Sequence, residues 1–142
     1  MIRVQLEDFD PGRELEQLRE QAGGQAGAVV SFIGLVRDLN AGERIEQMTL
    51  EHYPGMTEKA LAGIEREARA RWNLTGVVII HRVGPLRPND RIVLVAAASP
   101  HRRAAFQACE YLIDTLKTGA PFWKKELTPA GTHWWPPTTI DG

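Results

Sequence analysis

Apolar positions along this chain switch repeatedly between the two-residue period of a strand and the longer period of a helix. Ile2–Leu6 alternates and predicts a short strand. Asp10-Pro11 reads as an N-cap followed by proline at the first helical position, Leu15 and Leu18 give that helix an apolar stripe, and Gly23-Gly24 ends it. Ala28–Val36, rich in branched and aromatic residues, predicts a largely buried strand. Asn40-Ala41-Gly42 makes a turn, and the alternation over Ile45–Tyr53 predicts the second arm of an antiparallel hairpin.

Pro54-Gly55 breaks the pattern. Ala60, Leu61, Ile64, Ala68 and Trp72 then follow helical spacing, with Glu58, Glu65, Arg66, Glu67 and Arg69 mostly on the outer face. Val77–His81 and Ile92–Ala98 read as strands, separated by the turn signals Gly84-Pro85 and Pro88-Asn89-Asp90. Ser99-Pro100 predicts a third helix opened by the same cap-plus-proline device as the first. Its apolar face is Ala105, Ala108, Cys109, Leu112 and Leu116, and Gly119 stops it before Pro121. Phe122–Leu127 is the last predicted strand, and from about residue 135 the tail Trp134-Trp135-Pro136-Pro137 reads as irregular. Adjacent pairs of strands between helices predict an α+β fold with a mainly antiparallel sheet and three helices, residues 1–142 forming one domain.

Composition changes this picture little. Hydrophobic residues are 43% and charged residues 25% of 142, an ordinary globular balance. A net charge of -1 gives no reason to expect nucleic-acid or membrane-surface binding, so any anion site must come from local arrangement. The single cysteine, Cys109, allows no internal disulfide, and its place on an apolar helix face predicts a buried thiol rather than a nucleophile. The start lacks a signal peptide's apolar stretch, and the most apolar run, 26–36, is too short to span a bilayer. The expected location is the cytoplasm.

Three clusters could carry chemistry. Ser99-Pro100-His101-Arg102-Arg103 loads cations on a helix start, where each is disfavoured by roughly 0.3–1 kcal/mol, which makes sense if an anion binds there. The alternative is that these arginines simply point into solvent. Lys117, Lys124 and Lys125 crowd the segment Lys117–Glu126, and neighbouring cations make a neutral amine more accessible. A lone strand lysine can equally be an edge guard. Arg37-Asp38, at a strand end, is either a site pair or a surface ion pair. His52, His81 and His133 have no partners at metal-ligand spacing, and structural roles are expected for the first two.

Four segments lie on these clusters or beside them: Leu50-Glu51-His52-Tyr53-Pro54-Gly55-Met56, His81-Arg82-Val83-Gly84, Ser99-Pro100-His101-Arg102, and Leu116 through Glu126. In this order they closely resemble the molybdopterin synthase large-subunit family, over about residues 26–134. The resemblance implies an α/β-hammerhead fold and a homodimer within a heterotetramer. A small ubiquitin-like sulfur carrier with a C-terminal Gly-Gly thiocarboxylate would be the partner, and cyclic pyranopterin monophosphate the substrate. Two sulfurs would be transferred to form the molybdopterin dithiolene, with neither metal nor other cofactor. Carried over by motif, Lys117 and Lys124 are the catalytic candidates, with Arg37 in the same pocket and Phe32, Leu35 and Val36 lining it. His101 and Arg102 would reach in from the other subunit to hold phosphate, and Lys125 and Glu126 would flank the site. The family's tail often adds a basic residue to the neighbouring pocket, but no Lys or Arg follows Trp134-Trp135-Pro136-Pro137. A different class of reading is a non-catalytic adaptor for a ubiquitin-like partner or phosphorylated ligand. A nucleic-acid-binding module is a third, which the net charge and the lack of an extended basic stripe argue against.

Overall fold

The computed structural model describes residues 1–135. Strand β1 (Ile2–Gln5) leads to α1 (Pro11–Ala22), whose N-cap Asp10 accepts from the Arg13 amide as its cap-plus-proline sequence predicts. A 3-10 turn, Gly23–Gln25, ends that helix, with Gly23 at φ 70°. Then follow β2 (Ala28–Leu35), the short β3 (Leu39–Asn40) and β4 (Glu43–Arg44), β5 (Gln47–His52), and α2 (Met56–Arg71). After these come β6 (Gly76–Arg82), β7 (Gly84–Leu86), β8 (Arg91–Ser99), α3 (Arg102–Gly119), β9 (Phe122–Thr128) and β10 (Gly131–Trp135).

The strands form two sheets and a small ribbon. The first sheet runs β1-β6-β8-β2, parallel at β1/β6 and antiparallel elsewhere. Both faces of its middle are covered, which is why β6 and β8 read as continuous apolar runs rather than alternating ones. One face packs Val77, Ile79, Val93 and Val95 against Leu61 and Ile64 of α2 and Ala108 and Leu112 of α3. The other packs Val78, Ile80, Leu94 and Ala96 against Phe9 and Leu18. The second sheet, β10-β9-β5-β7, is wholly antiparallel, and Val36, Met48, Leu50 and Leu86 form a small core beside it.

The α+β class with a mainly antiparallel arrangement is as expected, and four local expectations are corrected. β2 is an edge strand rather than a buried one, with Val29, Phe32, Ile33 and Leu35 between 36% and 48% exposed. Burial in the core therefore does not account for its apolar character. β2 also does not pair with β5. It pairs with β8, while the turn at Ala41-Gly42 closes only the ribbon β3–β4. Both turn residues have positive φ, 52° and 79°, the two-residue hairpin geometry that matches strand twist. Ser99 does not cap α3: it ends β8, and its Oγ donates to the Asn73 carbonyl, so the helix begins after His101 without a side-chain cap. Finally, Gly131–Trp135 is a strand paired with β9, because Thr128 and Gly131 close a tight turn that returns the chain. The rest of the expected irregular tail, Pro136 onward, lies outside the described residues. No helix among those described is long and apolar enough to cross a membrane.

Candidate active site

Where the two sheets meet, the chain leaves a cavity of about 320 Å³. Its first wall is the departing end of β2 and the segment after it, from Phe32 to Arg37. A register shift between Gly34 and Leu35 turns the strand there. Gly34 is required, since a Cβ at this position would sit 2.7 Å from Val93 Cγ1. The second wall is the end of α3 and the strand that follows. Lys117 stands in the last helical turn, the Ala120 amide closes onto the Leu116 carbonyl, and β9 then presents Phe122, Lys124 and Glu126 inward. Met48 and Leu50 of β5 stand beside Glu126 and Lys124 in register and supply apolar floor.

Buried charge is concentrated on β9. Lys124 is 8% exposed and Glu126 3% exposed, their Nζ and Oε2 atoms 3.5 Å apart. Burying such a pair is tolerable only when its other hydrogen-bonding capacity is used. Glu126 accepts from Asn40 Nδ2 at 2.8 and 3.0 Å and from Trp135 Nε1 at 2.8 Å. Lys124 Nζ also lies 5.8 Å from the centre of the Trp135 ring, within cation–π range. Arg37 donates to Asn40 Oδ1 at 3.3 Å, and no ion pair with Asp38 forms among the described residues.

His81 forms part of the cavity wall, stacked on Phe122 with ring centroids 3.8 Å apart. Its Nδ1 lies 2.8 Å from the Arg82 carbonyl, which can only accept, so Nδ1 carries the hydrogen. Burial, with the nearby Lys117 charge adding to it, pushes the imidazole pKa down to about 4. The ring is therefore neutral at physiological pH, and Nε2 is an acceptor. Cys109 is buried away from this chemistry, its thiol pushed up to about 11 by burial.

Of the residues singled out in the sequence, the fold brings Phe32, Leu35, Val36, Arg37, Lys117, Lys124 and Glu126 to one cavity. It does not bring His101, Arg102 or Lys125 there. His101 and Arg102 are exposed at the opposite end of α3, and Lys125 lies on the outer face of β9 with Nζ 5.2 Å from the Trp134 ring centre. Sequence reasoning missed Asn40, taken as a turn residue, and Trp135, taken as irregular, while His81, expected to be structural, lines the cavity wall through its stack on Phe122. An alternating pattern that places Lys124 and Glu126 on the same face as Phe122 was a usable signal for the inverted strand. Nothing local marked Asn40.

The cavity is apolar-walled, holds Lys117 and Lys124, and lies on an α+β scaffold whose described residues offer no cluster able to hold a metal. An apolar-walled cavity with a few convergent polar groups has the form of a small-molecule site. The family model described as MoaE protein matches residues 4–119. The molybdopterin synthase catalytic subunit of Ralstonia nicotianae is 60% identical over 134 residues, covering 94% of this chain and 75% of that one. The corresponding Pseudomonas aeruginosa subunit is 56% identical, covering 94% and 88%. Among solved structures, the molybdopterin biosynthesis MoaE protein from Burkholderia ambifaria superposes with a TM-score of 0.84 at 50% identity, covering 99% and 92% of the two chains. Molybdopterin synthase from Staphylococcus aureus gives 0.85 at 37% identity, covering 93% and 94%. A Helicobacter pylori complex of subunits 1 and 2 of molybdopterin-converting factor gives 0.77 at 19% identity, covering 94% and 88%, a likeness of fold. The chain belongs to the MoaE family, the catalytic subunits of molybdopterin synthase.

Proposed function

We propose that this catalytic subunit works on cyclic pyranopterin monophosphate with a small ubiquitin-like carrier whose Gly-Gly thiocarboxylate supplies both sulfurs of the dithiolene. The observation that carries the reading is the convergence of Lys117 and Lys124 on one apolar-walled cavity. Once the carrier's sulfur has bonded to the pterin, water adds to the thioester carbon and negative charge grows on its oxygen; collapse then breaks the C–S bond, leaving sulfur on the pterin and a carboxylate on the carrier. Ammonium groups in a poorly hydrated pocket stabilise that charge far more than they would in water. Arg37 adds a planar cation suited to a phosphate at the cavity wall. The chain offers no sulfur relay of its own, since Cys109 is buried with a raised pKa, which fits sulfur arriving on a partner. The Helicobacter pylori relative was solved as a complex of two subunits, in keeping with such a partner.

The site is proposed to be composite. His101 and Arg102 stand about 15 residues before Lys117 on α3, roughly 22 Å of helix, too far to meet the same small phosphate from one chain. A second copy docked on the exposed apolar edge of β2 would bring its own helix start to this cavity and complete a homodimer within a heterotetramer. Lys125 then flanks the pocket from the outer face of β9.

The test is Lys117→Ala, assayed by mass spectrometry of the product with thiocarboxylated carrier and pterin precursor. Dithiolene formation is expected to fall by about 10²-fold or more, the size of losing one preorganised charge-stabilising group. The variant should still melt cooperatively as a folded domain, so that its loss of turnover reads as lost charge stabilisation rather than lost structure. Near-normal turnover in the folded variant would remove Lys117 from the mechanism.

A further inference from the structure

Asn40 lies in the ribbon β3–β4, a device with no share in either main sheet, yet its amide spans two parts of the cavity. Oδ1 accepts from the Arg37 guanidinium, and Nδ2 donates to both carboxylate oxygens of Glu126, 86 residues away. Only one orientation of the amide satisfies both partners, because guanidinium can only donate and carboxylate can only accept. Glu126 in turn faces the Lys124 ammonium and is held from its other side by the Trp135 indole. The ribbon's own construction serves this contact. Positive φ at Ala41 and Gly42 turns the chain sharply, and the Ile45 amide returns to the Asp38 carbonyl at 2.8 Å with Ile45 itself buried.

We infer that Asn40 is a positioning residue, whose amide locks Arg37 and the Glu126–Lys124 pair into one preformed array. The inference rests on the catalytic reading of Lys117 and Lys124 given above. Preformation matters because a reacting group misplaced by about 1 Å can cost on the order of 10²-fold in rate. Without the amide, Arg37 is untied from β9, and a buried carboxylate beside Lys124 loses a donor it requires. Ionisable groups surround the amide: Arg37 on its own segment, Glu43 opposite it in the ribbon, Lys124 and Glu126 on β9, and His133 across from Glu126 on β10, with Lys117 and His81 on the cavity's other walls. Among the described residues, Arg37 and Glu126 are the groups that bond its side chain.

Two substitutions read this directly, assayed in the complete synthase with thiocarboxylated carrier. Asn40→Ala should lower kcat by about tenfold to a hundredfold while the protein melts as a folded domain. Asn40→Asp keeps the shape and the Arg37 contact but sets a second carboxylate against Glu126. Two carboxylates at that distance repel each other and raise the pKa of the pair, so a proton is gained between them as pH falls and rebuilds the bridge. The ratio of Asn40→Asp to parent activity should therefore rise as pH falls, whereas the Asn40→Ala ratio stays flat. Adding Asn40→Ala to Glu126→Gln should cost little more than Glu126→Gln alone, because both act on one array. A flat ratio for Asn40→Asp, or losses that multiply in the double variant, overturns the inference. If Asn40→Asp does not fold, the double variant alone decides. Lys117→Ala, run alongside, separates the two readings. Its loss of turnover together with parent-like Asn40 variants defeats only the role of Asn40, while its normal turnover defeats the catalytic assignment beneath it.

Discussion

Strands β8 and β9 are antiparallel members of neighbouring sheets, and they solve burial in opposite ways. From Val93 to Ala98, β8 is inaccessible on both faces and entirely apolar, because helices cover each side of its sheet. β9 is covered on one face only, and its polarity is inverted along much of its length. Lys124, Glu126 and Thr128 are buried, while Trp123 and Leu127 are 37% and 41% exposed. Hydrophobic burial explains the first strand. It cannot explain the second, where charged groups have been withdrawn from water and then supplied with Asn40, Trp135 and each other. Such a strand costs stability and yields a charged cavity wall, as expected where function rather than folding sets the residue.

Substitutions can break this contrast. Leu94→Ala in β8 should cost about 2–5 kcal/mol in denaturant unfolding, since a fully buried leucine leaves a cavity. Activity per folded molecule should be preserved. Glu126→Leu in β9 should cost about 3 kcal/mol by stranding the Lys124 ammonium in a buried site, and it should also abolish turnover. The combined Lys124→Met and Glu126→Leu variant should regain most of that stability and none of the activity, because an apolar pair can replace a buried ion pair without loss. A double variant no more stable than Glu126→Leu would mean that β9's charges support the fold as Leu94 does in β8.

Acid titration sharpens the contrast at the boundary between the sheets, where His81 of β6 stacks on Phe122 of β9. The folded pKa of His81 is depressed to about 4, so the unfolded chain binds more protons between roughly pH 6.5 and 4. The contribution is complete above pH 6.5 and is lost as pH falls through 4, up to about 3 kcal/mol. Asp8, held below its ordinary value by its hydrogen bond to Arg91, acts in the same direction at lower pH. His81→Phe should retain the stack on Phe122 and remove the higher-pH part of the stability loss. An unchanged profile would assign that loss elsewhere.

A smaller effect tests whether the cavity's charges end at the protomer's edge. Arg102→Ala should weaken pterin binding by about tenfold, near the lower end for one charge-assisted phosphate contact, and leave carrier binding unchanged. Mixed in equal amounts with Lys117→Ala under subunit exchange and assayed below pterin saturation, it should recover activity toward about a quarter of the parent value, since half of the dimers are then mixed and each mixed dimer keeps one intact pocket of two. Exchange confirmed by mass spectrometry without recovery would place the whole pocket in one chain.

Local patterning alone determined the three helices, the apolar face of α3, the buried runs of β6 and β8, and the lysine-rich segment from Lys117 to Glu126. Each is written in spacing over a few consecutive residues, which the periods of helix and strand translate directly. The resemblance carried by four short segments extended this to the family and to seven of the eighteen residues that line the cavity. Spacing could not say which face of β9 was covered, that β2 would lie at an edge, or that residues 131–135 would add a strand, because those depend on which neighbour each strand meets. Nor could it join Asn40 to Glu126 or set His81 against Phe122. Contacts across such separations exist only once packing has excluded water and left the polar groups to find one another, and it is the tertiary structure that chooses the partners.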